Sequence, residues 1–163
     1  MTFSIPRFTD SVRAFFANPI ILSSLTSWFL SQFIKGIITL FKVRKKRDVL
    51  EALFWRTGGM PSSHAAVVCS MTAAVAFHEG VGSNLFAVSL LVAFVVMRDA
   101  MGVRRAVGLQ ARALNLLGSK TTVNDDTEFS PVKEIKGHAP LEVIAGALLG
   151  IFVSATFVRL KAL

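Results

Sequence analysis

The 163-residue sequence predicts an all-α fold: an integral membrane helical bundle of about four transmembrane helices, with an interfacial helix in the third loop. Composition points there first. Hydrophobic residues make up 53% of the chain and charged residues 17%, with a mean hydropathy of +0.59, more apolar surface than a soluble domain of this size can hide in one core. Segmentation points there second. Four stretches, approximately 19–41, 61–77, 82–98 and 139–158, come close to the roughly 20 apolar residues that a helix needs to cross hydrocarbon. The third observation is where the basic residues fall. The segment Lys42–Arg56 carries six Lys/Arg and Arg98–Lys136 carries seven, against four in the N-terminal arm, the 78–84 turn and the C-terminal tail together. With four spans those two basic loops share one side, which the positive-inside tendency makes cytoplasmic; cations kept for phosphate binding would bias the same count.

Taken in order, residues 1–18 hold Arg7, Asp10 and Arg13 but no short apolar region ending in a small-residue cleavage site. No removable signal peptide is expected, and the first apolar stretch stays as an anchor. The second and third stretches are short, and span only if nearly upright or where the bilayer thins locally. Small residues recur on the second and fourth: Ala65, Ala66, Ala73 and Ala74, then Gly146 and Gly150 at the four-residue spacing that lets helix backbones approach. These two helices are expected to touch. Cys69 reads as a small core residue, since a single cysteine forms no internal disulfide. Trp28 suits a core position and Trp55 the interface, while His78 ends the second helix as an interfacial residue on the opposite side. Asp99 follows the third stretch beside arginines, and pairing with one of them is favoured.

In the third loop, Val103, Ala106, Val107, Leu114 and Leu117 follow helical spacing with Arg104 and Arg112 on another face, as in a helix lying in the interface. The polar, turn-rich stretch GSKTTVNDDTEFSP after it reads as a mobile loop whose acidic residues form a solvated surface rather than a metal site. Residues 1–163 form a single membrane-embedded domain. The net charge of +8 could signal nucleic acid, but the basic residues lie between apolar blocks with no single basic face. An anionic membrane surface or a phosphate ligand is the partner expected, with no nucleic acid.

Two strings carry chemistry, GGMPSSH at 58–64 and KGHAPLEVIAGALLG at 136–150. Each sets a histidine beside proline and glycine where a loop enters an apolar helix. His64 and His138 then fall on the same membrane side, with the end of the first helix that bears Lys35. Helix N-termini offer unpaired N–H groups and a positive dipole end, so Pro61, Ser62 and Ser63 could present amides to an anion. Glu142, four residues after His138, can hold the imidazole N–H and fix its tautomer, which makes a better nucleophile or base. It can also simply cap its helix. An ionisable group entering an apolar helix demands a partner in either case.

These strings resemble the type-2 phosphatidic acid phosphatase and vanadium haloperoxidase superfamily, in particular its divergent small bacterial and plastid-type membrane branch. The superfamily pattern is K-x6-R-P, then P-S-G-H, then S-R-x5-H-x3-D. PSSH at 61–64 is similar to the second part with serine for glycine, and GHAPLEVIAG to the third with glutamate for aspartate. Lys35 and Lys42 match the first in spacing, with lysine for arginine and no proline following. The resemblance implies a metal-independent phosphomonoesterase, with no cofactor, acting on a membrane lipid phosphate. It implies His138 as the nucleophile that forms a phosphohistidine, Glu142 as its orienting partner and His64 as general acid. Lys35, Lys42, Arg56, Ser62 and Ser63 would then hold phosphoryl oxygens. The third-part arginine has no match: Val132 lies six before His138 and Lys133 five before it. Arg104 or Arg105 is the expected substitute, since lysine lacks the bidentate grip of guanidinium. The full-length lipid phosphatases have more helices, so the bundle is either reduced or completed by a second protomer. A binding protein for anionic lipid that has lost phosphatase activity, and an ion- or proton-conducting subunit using His64, His138 and Glu142, are the competing functions. The implied location is a multi-pass protein of a cell inner membrane or a plastid membrane.

Overall fold

A computed structural model describes residues 8–42, 59–121, 129–134 and 137–161. Within them the chain is helical: α1 (Phe8–Ala17), α2 (Pro19–Lys42), α3 (Ser63–Glu79), α4 (Asn84–Met101), α5 (Val103–Thr121) and α6 (Pro140–Lys161). Local chemistry sets the boundaries. Pro19 opens α2 where its missing N–H costs nothing, and Asn18 Oδ1 accepts from the Ile20 N–H at 2.9 Å. Ser62 caps α3 and Ser83 caps α4. Gly80 ends α3 with φ of 84°, a left-handed turn that a side chain would resist, and its N–H returns to the Ala76 carbonyl.

Three helical stretches are long and apolar enough to cross a membrane: Pro19–Phe41 in α2, Asn84–Lys120 over α4 and α5, and Pro140–Arg159 in α6. At 17 residues α3 is about 25 Å long, shorter than a hydrocarbon layer of about 30 Å. It survives as the central helix because α2, α4 and α6 all pack on it. Nine of its residues are buried, mostly Ala, Ser and Val. The side-chain distribution inverts that of a soluble protein. Small residues fill the interior, while Phe29, Phe33, Leu91, Phe94, Val95, Leu148 and Phe152 face outward, where acyl chains solvate them as well as a protein core would. This is a helical membrane protein.

The buried contacts are close. Gly146 lies against the Ser62 backbone and Gly150 against Ala66 and Ser70, so tightly that an added Cβ would overlap the carbonyls of Ser62 and Ala66. Helices α3 and α6 therefore run parallel, and the expected contact between the second and fourth spans is present. Opposite this seam α2 presents Ser23, Ser27, Ser31, Lys35 and Thr39, a four-residue repeat that is buried throughout. Cys69 is in the core, its Sγ 3.8 Å from Met97 Sδ. Trp28 is half-buried and sits edge-on to Phe29.

Two features depart from the sequence reading. Helix α1 was not anticipated: it buries none of its residues and has too few apolar positions to announce a span. Helix α5 continues through Gly118–Thr121, residues expected in a mobile loop, because Gly118 leaves room for the Phe129 ring to pack on the helix. The rest of that loop, 122–128, and the segment bearing Trp55 lie outside the described residues.

Candidate functional site

The C-terminal ends of α2 and α4 and the N-terminal ends of α3 and α6 meet at one end of the bundle. Main-chain bonds hold them there. The Ser62 N–H donates to the Glu142 carbonyl at 2.8 Å, tying the loop before α3 to the first turn of α6. The His138 N–H donates to the Ala100 carbonyl at 3.0 Å, tying the loop before α6 to the end of α4. Gly59, with φ of 92°, starts the approach to α3 in a conformation that favours glycine, and Gly137 packs on the Arg105 backbone with no space for a Cβ.

This framework brings the two histidines together, their ring centroids 6.5 Å apart. His138 is buried and His64 exposed. His138 Nδ1 lies 2.8 Å from Glu142 Oε2, a contact that puts the proton on Nδ1 and leaves the Nε2 lone pair as the reactive position. The same carboxylate oxygen accepts from the Ala139 N–H at 3.2 Å. Glu142 thus orients the histidine and caps α6 at once, so the two roles do not exclude each other.

Lys35 is buried at 5% exposure and donates from Nζ to Ser63 Oγ at 3.2 Å. Its charge and that of Glu142 act on each other across the site. Arg104, at the start of α5, donates from Nε to Asp99 Oδ2 at 2.6 Å, the pairing favoured for Asp99. Its field reaches His64 together with those of Lys35, His138 and Asp99.

The N-terminus of α3 adds anion-binding capacity. Of its first four N–H groups, that of Ala65 is taken by Ser62 Oγ at 3.4 Å and that of Ala66 by the Ser62 carbonyl at 3.0 Å. Among the described residues nothing takes the N–H groups of Ser63 and His64, which leaves them for a ligand. Ser62 itself is fully buried; its hydroxyl caps the helix and its N–H is committed to Glu142, so it positions the loop. Arg105 and Lys133 are exposed, and no hydrogen bond or ion pair among the described residues joins either side chain to the histidine pair. Lys133 rides on a strap held to α5 by Asn115, whose side chain exchanges hydrogen bonds with the Val132 main chain at 2.8 and 2.9 Å. Arg56 and the side chain of Lys42 lie outside the described residues. Among the described residues no group of three or more His, Cys, Asp or Glu is arranged to hold a metal ion.

Side-chain reading could not find the ties at Ser62 and His138, since main-chain groups make them. Nor does the sequence reveal that Lys35 and Ser63, both expected to hold phosphoryl oxygens, are hydrogen-bonded to each other.

What this arrangement can do is hold a tetrahedral anion between two imidazoles, a lysine and a helix N-terminus. A protein of Bacillus subtilis (strain 168) described as "Uncharacterized membrane protein YuiD" is 40% identical over 145 residues, covering 82% of this chain and 90% of the relative. No solved structure matches at a significant level. The family model described as "Divergent PAP2 family" matches residues 16–153, taking in α2 to α4, the histidine pair and most of α6. The chain belongs to the divergent PAP2 family, a phosphatase-related group of membrane proteins.

Proposed function

We propose that the protein is a phosphomonoesterase that hydrolyses a membrane lipid phosphate through a phosphohistidine intermediate, without a metal ion. One observation carries the reading: a buried histidine oriented by a carboxylate at 2.8 Å faces an exposed histidine at 6.5 Å, at the end of the bundle where Lys35 and the start of α3 converge. The Nε2 lone pair of His138 attacks phosphorus; the P–N bond forms as the bond from phosphorus to the lipid oxygen breaks. Protonated His64 gives its proton to that leaving oxygen. Neutral His64 then takes a proton from water, which attacks the phosphohistidine and releases inorganic phosphate. Glu142 holds the Nδ1 proton throughout and balances the positive imidazole of the intermediate.

Lys35, Ser63 and the first α3 amides offset charge on the phosphoryl oxygens, the largest rate contribution expected in such chemistry. With Asp99 taking its Nε, Arg104 keeps both terminal amino groups for two phosphoryl oxygens. On this reading the active end lies on the cytoplasmic side of a cell inner membrane or plastid membrane, since the sequence segments flanking it hold most of the Lys and Arg. Phosphatidic acid, phosphatidylglycerol phosphate and polyprenyl phosphate are the substrates to assay.

The test is phosphate release from these lipids by the purified protein in detergent with chelator present. Vanadate should inhibit as a transition-state mimic, and His138→Ala should abolish turnover while the unfolding midpoint is kept. Near-normal turnover by that variant rules His138 out as nucleophile. The Arg104–Asp99 pair favours a second reading, non-catalytic binding of anionic lipid, because the Arg104 guanidinium is already engaged by a carboxylate. Saturable binding of phosphatidic acid with no phosphate released from any of the three lipids would establish that alternative.

A further inference from the structure

Between α4 and α6 lies a groove of about 510 Å³ whose lining includes Met97, Arg98, Met101, Val143, Ile144 and Ala147. That volume lies inside the range of small-molecule sites, about 300–1,000 Å³. One end of it lies beside the histidine site. Val143 follows Glu142 in the chain, and Pro140, two residues after His138, also lines the groove. Ala100, beside Met101, receives the His138 N–H. The wall is apolar except at this end, where Arg98 supplies the lining's charge; its side chain makes no ion pair among the described residues.

We infer that this groove holds one acyl chain of a membrane phospholipid whose phosphomonoester sits at His138, with Arg98 neutralising the headgroup at the mouth. Three properties separate it from ordinary lipid-facing surface. It is concave, and its floor includes Val143 at 2% exposure, with Met97 and Met101 packed around the same cluster. Methionine side chains adapt to a flexible chain better than branched ones do. A cation at the end nearest the catalytic pair complements an anionic headgroup, which a zwitterionic annular lipid does not need. A chain fixed in the groove fixes its phosphate relative to Nε2, and such positioning converts binding into rate. The assignment of a phosphomonoester rests on the phosphatase reading; occupation of the groove by a chain does not.

The probe is phosphatidic acid carrying a diazirine midway along one acyl chain, added to the His138→Ala protein in phosphatidylcholine nanodiscs, irradiated and mapped by mass spectrometry. Adducts should concentrate on Met97, Met101 and Val143. Unlabelled phosphatidic acid should suppress them about tenfold, and a phosphatidylcholine probe should not enrich there. Ile144→Trp fills the groove from an exposed position that tolerates bulk and should lower labelling about fivefold; Arg98→Gln should erase most of the preference for phosphatidic acid over phosphatidylcholine. Adducts spread evenly over Leu91, Leu148 and Phe152, which are exposed outside the groove, without competition, overturn the inference, as does labelling that neither variant changes. Groove labelling in a wild-type protein that releases no phosphate sinks the phosphatase reading and keeps the groove. Phosphate release without groove labelling does the reverse.

Discussion

The two histidines occupy opposite environments. His138 is 5% exposed, bonded through its main chain to α4 and through its ring to Glu142. His64 is exposed, without a hydrogen bond to its ring among the described residues, and lies near the Arg104–Asp99 pair on the outer side. The contrast suits the proposed division of labour. A nucleophile gains from a fixed tautomer and orientation, whereas a group that donates a proton to a leaving alcohol and then takes one from water needs access to both.

If that division is correct, inner and outer substitutions fail differently. Glu142→Gln should cost about a thousandfold in kcat, because an amide cannot hold the Nδ1 proton as a carboxylate does; steady-state hydrolysis of phosphatidic acid measures it, and a loss under tenfold would reduce Glu142 to a helix cap. His64→Ala should lower hydrolysis of an alkyl phosphate about a hundredfold yet cost much less with p-nitrophenyl phosphate, whose leaving group needs little protonation. An equal loss on both substrates breaks the comparison, since it would give His64 a role that ignores the leaving group. Arg104→Lys should reduce kcat/KM about tenfold, since a point charge cannot reproduce a bidentate grip; unchanged kinetics would remove Arg104 from the site. The smallest effect concerns the interior. Ser154 Oγ is fully buried without a hydrogen-bond partner among the described residues, so Ser154→Ala should raise stability by about 1 kcal/mol, read as a higher unfolding midpoint in detergent with activity retained.

The spans were legible because lipid imposes a length and an apolarity that few other settings demand, and Gly146 and Gly150 announced the seam with α3 through their spacing. The meeting of His64 with His138 followed from counting helices, since alternate helix ends share a side. What stayed hidden depends on contacts between distant residues. Nothing in Gly118-Ser119-Lys120-Thr121 says helix; the Phe129 ring packed against Gly118 does. Nor does Ser62 show in sequence that its hydroxyl caps α3 while its N–H reaches α6. Its neighbour Ser63 looks the same on paper and holds Lys35 instead.

The bonds from Ser62 to Glu142 and from His138 to Ala100 join main-chain atoms. No exchange of side chain deletes either one, save proline at position 62 or 138. The architecture around the anion can therefore persist while the residues that touch the anion change. Serine can stand for glycine before His64, and glutamate for aspartate after His138, without dismantling the frame. Chemistry on such a scaffold is free to drift, and the geometry outlasts the motif by which it would be recognised.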